Sequence, residues 1–137
     1  MDPEIWGPKA WFFIHNIALT YPRNPNINDK QMYKNFFINL GNVLPCSVCK
    51  VHYKENLIES ELDIGLNSNI DLFKWTVDIH NKVNKQNNKK IFTYEEALNE
   101  LNKHYIYGSF FTISNIIILI LILIIIVLGY IIYYKMI

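Results

Sequence analysis

Apolar side chains recur along most of the chain at helical spacing, not at the alternation of strands. In PKAWFFIHNIALTY, Trp11, Ile14, Ile17 and Ala18 fall on one stripe of a predicted helix, and Pro8 suits its first turn. YPRNPN interrupts it with two prolines. DKQMYKNFFINLGNVL predicts a second helix, capped by Asn28, with Met32, Phe36 and Leu40 on a shared face. Pro45 ends that helix and opens a third, which carries Cys46, Cys49, His52 and Tyr53. ESELDIGLNSN reads as a loop. IDLFKWTVDIHNKVNK predicts a fourth helix, with Asp71 or Asn69 near its start. The polar run KQNNKK closes it. TYEEALNELNKHY predicts a fifth helix, where Thr93 and Glu96 have capping-box spacing. No strand pattern of useful length and no internal repeat interrupts this series. The expected class is all-α, a small bundle of four or five helices.

The C-terminal pattern is different in kind. From Ile113 to Ile132 there is no charge and almost every residue is Ile, Leu or Val. About 20 such residues span the hydrocarbon layer as a helix. No polar face marks the run as a core helix of a soluble bundle. Ser114 and Asn115 sit at its start, and Tyr130, Tyr133 and Tyr134 near its end, where amphipathic rings favour the interface. The expected organisation is a folded domain over residues 1–108 and a single transmembrane anchor with a short tail over 109–137.

Charge narrows the range of partners. The chain has 13 Lys and Arg against 12 Asp and Glu. All the acidic residues, and every basic one except Lys135, lie in the N-terminal domain. A domain so balanced has no field to attract nucleic acid. MDPEIWGPKAW has no basic segment followed by an apolar one, so no secretory signal is expected. The domain is therefore expected to face the cytosol from a C-terminal membrane anchor.

The candidate chemistry lies in LPCSVCKVHY, which holds both cysteines, Cys46 and Cys49. A cysteine at a helix start is beside the partial positive charge of the helix terminus, which favours thiolate. Cys49 is one turn further on the same face, within reach of a disulfide. His52, Lys50 and Lys54 follow nearby. A zinc site could combine the two cysteines with two of His15, His52, His80 and His104, although no histidine pair has zinc-finger spacing. Spacing alone points to a dithiol redox site. A zinc-stabilised, membrane-anchored helical interaction module is the alternative.

Three stretches in order go further: WGPKAWFFIHNIALTYP, LPCSVCKVHY and WTVDIHNKVNKQNNKKIF. Together they resemble the FAD-linked sulfhydryl oxidases of the Erv/ALR type, most of all the compact versions carried by large DNA viruses. The resemblance spans roughly Trp6 to Phe92. It implies a four-helix bundle with a short fifth helix and FAD at the mouth of the bundle. It makes Cys46 the cysteine that meets incoming thiols and Cys49 the one beside the flavin. Gly7, Trp11, His15 and, as a weaker match, Tyr21 are implied to line the cofactor site. Trp75, His80, Asn81, Val83 and Asn84 match the motif that holds the adenine and ribose end. Lys85 and Lys89 are implied to face phosphate or ribose oxygens, and His52 to lie near the flavin.

The resemblance implies a thiol oxidase that forms disulfide bonds in protein substrates and passes electrons to molecular oxygen, giving hydrogen peroxide. It also implies a homodimer on the first two helices, for which WFFI and NFFI are suitable surfaces, and a role in disulfides of virion or membrane proteins. The sequence departs from the family pattern in several places. It has no third cysteine, so the substrate dithiol or a separate thiol shuttle must meet Cys46 directly. Val77 replaces a frequent cysteine, and the Gly and Pro around the family lysine are replaced in NNKKI.

Overall fold

The computed structural model describes the backbone of residues 1–136. Side chains at 106–113 and 136 lie outside the described set, as do Ile113 at the start of the expected apolar run and the expected domain boundary at 108/109. The elements are α1 (Pro3–Leu19), α2 (Ile27–Val43), α3 (Ser47–Ile58), α4 (Leu62–Gly65), α5 (Asn69–Gln86) and α6 (Tyr94–Met136), with no strand among the described residues. Two compact units are formed, Met1–Leu98 and Asn99–Ile137.

Local side-chain chemistry sets the helix starts. The α1 helix begins at Pro3, not Pro8, because Asp2 caps it, accepting the Glu4 backbone N–H at 2.9 Å. Pro8 then falls inside the helix. The cap of α2 is Asn26 rather than Asn28. Asn26 and Asp29 form a reciprocal box, each side chain accepting the other's backbone N–H at 2.9 and 3.0 Å. Ser68 caps α5, one residue before Asn69 and three before Asp71, the expected candidates, and accepts the Asp71 N–H at 3.1 Å. Thr93 and Glu96 form the expected box at the start of α6. The stretch expected as loop contains the single helical turn α4. The expected fifth helix and apolar helix are continuous in α6. Between them stands one glycine and no proline, a break of only about 1 kcal/mol.

The core of the first unit is built from Ile14, Ala18 and Tyr21 of α1 and the turn after it, Phe37 of α2, Tyr53 of α3, Leu62 and Leu66 around α4, and Leu72, Phe73, Trp75, Val77 and Ile79 of α5. Val77 is fully buried as an aliphatic side chain. On α2 the inward face is shifted from the expected one: Phe37 is buried and Phe36 and Leu40 pack partly, while Met32 is exposed. Two glycines permit close helix approach. A Cβ on Gly41 would lie 2.8 Å from the Tyr53 ring, and one on Gly65 2.9 Å from Trp75 Cβ. Of the two apolar stretches expected at a dimer surface, Ile14 and Phe37 are buried, and Phe13 and Ile38 remain exposed.

In the second unit, Ser114–Lys135 is long and apolar enough to cross a membrane, with mean hydropathy 3.4. None of its most apolar window is buried by protein.

Candidate active site: a disulfide at a helix start and a hydrogen-bonded histidine pair

Cys46 and Cys49 are joined as a disulfide, with Cα atoms 5.1 Å apart. Pro45 ends the preceding segment, and Cys46 is the N-cap of α3, its Sγ accepting the Cys49 backbone N–H at 3.2 Å. Both sulfurs thus lie at the electropositive end of a helix, where thiolate is favoured. Both cysteines are half-buried, so exposure does not single out Cys46 as the attacked sulfur. The distinction is positional. Cys46 lies at the cap and Cys49 one turn inside.

Asn56 of α3 donates to the Gln86 side chain of α5 at 3.3 Å, and Lys82 of α5 donates to Glu59 Oε2 at 3.3 Å. The two helices therefore run antiparallel there. Seven residues of helix, about 10 Å, carry α3 back from Asn56 to Cys49. The disulfide accordingly lies at the end of the bundle where α5 finishes.

Near that end α1 and α5 bring together Trp11, His15 and His80. The Trp11 and His80 rings stack with centroids 4.2 Å apart and planes within 9°. His15 Nε2 lies 3.1 Å from His80 Nδ1, and His15 Nδ1 lies 2.9 Å from Thr76 Oγ1. Burial pushes His15 down to about 4. His80 is pushed down to about 3, first by burial and then by the positive charge of His15 and Lys89. Both rings are neutral at physiological pH.

The asparagines of HNKVN do something the motif alone does not reveal. Asn81 pairs with the Phe92 backbone twice, donating to its carbonyl at 2.8 Å and accepting its N–H at 3.0 Å. Buried Asn84 donates to the Lys90 carbonyl at 3.0 Å, while its own carbonyl accepts the Lys89 N–H at 2.8 Å. The two amides shape the turn between α5 and α6. Asn88 supplies its left-handed residue, φ 53°. The turn presents Lys89, whose Nζ binds the Glu4 carboxylate of α1 at 2.6 and 2.8 Å. Lys85 is exposed at the end of α5, and Val83 is half-buried.

Three candidates lie apart from the stacked cluster. Tyr21 is buried and donates its hydroxyl to the Leu66 carbonyl at 3.1 Å. Trp75 is buried edge-on against Phe37. His52 is half-buried on α3. Sequence reasoning missed Thr76, the partner of His15, and Glu4, the partner of Lys89. Neither had a periodic signal, and each meets its partner across more than 60 residues of chain.

The surroundings suit a flavin dinucleotide. The indole N–H groups of Trp6 and Trp75 are buried without a partner among the described residues. A Cβ on Gly7 would meet nothing within 4 Å, so no protein packing requires glycine there. Flat rings on Trp11 and His80, neutral imidazoles and the lysines at the α5–α6 turn match the aromatic, polar and anionic parts of such a group. Among the described residues no group of three or more His, Cys, Asp or Glu side chains is placed to hold a metal ion.

The Erv1/Alr family model matches residues 8–105, most of the first unit and the start of the second. The chain belongs to the Erv1/Alr family. A protein of Acanthamoeba polyphaga mimivirus named a probable FAD-linked sulfhydryl oxidase is 45% identical over 104 residues, covering 75% of this chain and 73% of the relative. An FAD-linked sulfhydryl oxidase of African swine fever virus is 36% identical over 94 residues, covering 69% and 77%. The FAD binding domain of Erv1 from Saccharomyces cerevisiae superposes with a TM-score of 0.68 at 27% identity, covering 75% of this chain and 96% of that domain. The Erv1/Alr fold thus accounts for the bundle. The apolar part of α6 beyond residue 105 lies outside the family match.

Proposed function

We infer that this Erv1/Alr protein is an FAD-linked sulfhydryl oxidase whose redox centre is the Cys46–Cys49 disulfide. The observation that carries the reading is that disulfide, at the start of a helix, in a chain of this family. In the proposed cycle a substrate thiolate attacks Cys46 Sγ, and Cys49 leaves as thiolate, stabilised by the first turn of α3. A second substrate thiolate attacks the substrate sulfur of the mixed disulfide. Cys46 leaves as thiolate, with the Cys49 N–H positioned to stabilise it. The substrate has lost two electrons to the pair and holds a new disulfide. FAD, when bound, supplies the two-electron acceptor chemistry that reoxidises the pair, with oxygen as final acceptor and hydrogen peroxide as product.

Gly7, Trp11, His15, His80, Lys85 and Lys89 are proposed to hold the cofactor, with Asn81 and Asn84 acting through the turn they shape. Tyr21, Trp75 and Val83 support the site from the core side, and His52 lies on the cysteine helix. A protein dithiol or a separate thiol shuttle is the proposed reductant. Exposed Phe13 and Ile38 support a homodimer through α1 and α2. Residues 1–108 are the proposed oxidase domain and 109–137 the membrane anchor, with the domain on the cytosolic side. The viral relatives support a role in disulfides of virion or membrane proteins.

The test is the spectrum and turnover of the purified full chain in detergent. Flavin absorbance, with oxygen uptake and peroxide formation on adding a dithiol, is the expected result. Colourless protein carrying stoichiometric zinc would overturn the reading. Protease protection of the N-terminal domain in sealed membranes would overturn the cytosolic placement.

A further inference from the structure

Thr76 lies wholly buried on α5, inside the stretch WTVDIHNKVN but not among its residues matched to the cofactor site, yet it touches the histidine pair. Its hydroxyl is 2.7 Å from the Phe73 carbonyl and 2.9 Å from His15 Nδ1. A hydroxyl has one proton. Phe73 O is a carbonyl and can only accept, so the proton goes to it. If the proton went to His15 instead, two lone-pair oxygens would face each other at 2.7 Å in the core. Thr76 Oγ1 must therefore accept, and His15 carries its proton on Nδ1. His15 Nε2 is then a lone pair, and the atom facing it at 3.1 Å, His80 Nδ1, must be the donor. One further step follows, because a neutral imidazole has one N–H. His80 Nε2 is left as an acceptor, since the ring's one hydrogen bond among the described residues is made by Nδ1.

We propose that Thr76 is a positioning residue that orders a relay of four groups, Phe73 carbonyl, Thr76, His15 and His80, so that His80 presents a hydrogen-bond acceptor to the cofactor. The tautomer of one ring is set by the hydrogen bond of its other nitrogen, and here two rings are set in series from a backbone carbonyl. The ligand atom this arrangement selects is a donor, a hydroxyl or an amine, and a bare phosphate or carbonyl oxygen is refused. Burial keeps both rings neutral, as the relay requires. The Trp11 ring stacked on His80 holds its plane, so the relay controls the chemistry of the ring edge and the stack controls its direction. The inference rests on the FAD reading for its ligand, but the tautomers are properties of the protein itself.

The experiment is nitrogen-15 NMR of the histidine rings in the full chain in detergent micelles, with and without FAD, together with an FAD titration. In the unaltered protein both His15 and His80 are expected in the Nδ1–H form. Thr76→Ser, which keeps the hydroxyl, is expected to keep both forms and the FAD Kd. Thr76→Val is expected to move both rings away from Nδ1–H and to weaken FAD about tenfold, or about 1.4 kcal/mol. An Nε2–H form of either ring in the unaltered protein overturns the proposal. So do tautomers that stay unmoved in Thr76→Val, or that move without a change in FAD affinity. If Thr76→Val does not fold, the spectra of the unaltered protein decide. A protein that binds no FAD refutes the cofactor reading, and the ring spectra still report whether Thr76 sets the two tautomers.

Discussion

Trp11 lies flat on His80, their ring centroids 4.2 Å apart, so residues from α1 and α5 form one continuous aromatic surface. That contact joins the two helices at the point where the cofactor is proposed to bind. Trp11→Ala removes the stack and a large share of the apolar contact, and an aromatic pair alone contributes about 0.5–1.5 kcal/mol beyond its buried area. FAD affinity is expected to fall by about tenfold or more, measured by quenching of flavin fluorescence. Trp11→Phe should recover much of it.

Cys49→Ser is expected to abolish dithiol oxidation and to leave the flavin absorbance in place. Sulfur chemistry at this position is needed for turnover, and the disulfide and cap bond of Cys49 both stay within the start of α3. Oxygen uptake with a dithiol is the measurement. Residual turnover in this variant would refute the assigned redox pair.

The two depressed histidines link stability to pH. Each is lowered from 6.5, His15 to about 4 and His80 to about 3. Between those values and 6.5 the unfolded chain binds more protons than the folded one, so stability falls as pH is lowered. The loss begins near pH 6.5, where the unfolded rings start to charge, and is complete once pH has fallen through the folded values. Thermal unfolding followed from pH 7.5 to 4 should show a falling Tm. His80→Gln should flatten that slope. A Tm curve identical in the variant would remove His80 from the linkage.

Gly65→Ala should destabilise the fold. The new Cβ would lie 2.9 Å from Trp75 Cβ, an atom fixed to the α5 backbone, so α4 and α5 must separate. Overpacking of this kind costs about 1–3 kcal/mol. Denaturant unfolding is the check. Gly7→Ala, inside α1 where the Cβ meets nothing, should instead stabilise the fold by up to about 1 kcal/mol.

Asn84→Ala deletes a buried amide that holds the Lys90 carbonyl. The orphaned carbonyl should cost about 1–3 kcal/mol. The turn that presents Lys89 should loosen with it, raising hydrogen exchange at residues 87–92.

Much of this protein was legible in its residue order, and the reasons are local. Periodicity placed the long helices, because an amphipathic stripe is a property of neighbouring residues. The apolar run of α6 was plain from composition, and the Cys46–Cys49 pairing from a separation of one helical turn. The order of three short motifs carried the family. Helix starts were less legible: Asp2, Asn26 and Ser68 outcompeted nearby candidates, a choice made by which side chain can reach a free N–H.

What only the tertiary structure decided was how distant residues use one another. The sequence marks His15 and His80, but not that they share a hydrogen bond or that Thr76 stands behind them. It marks Asn81 and Asn84 as a motif, but not that their amides are committed to the backbone of the following turn. It marks Lys89 as a cation without naming Glu4 as its partner. Helix and membrane propensities are summed over adjacent residues. A hydrogen bond between side chains 61 or 65 residues apart depends on the packing of whole helices, and no short stretch of sequence encodes that.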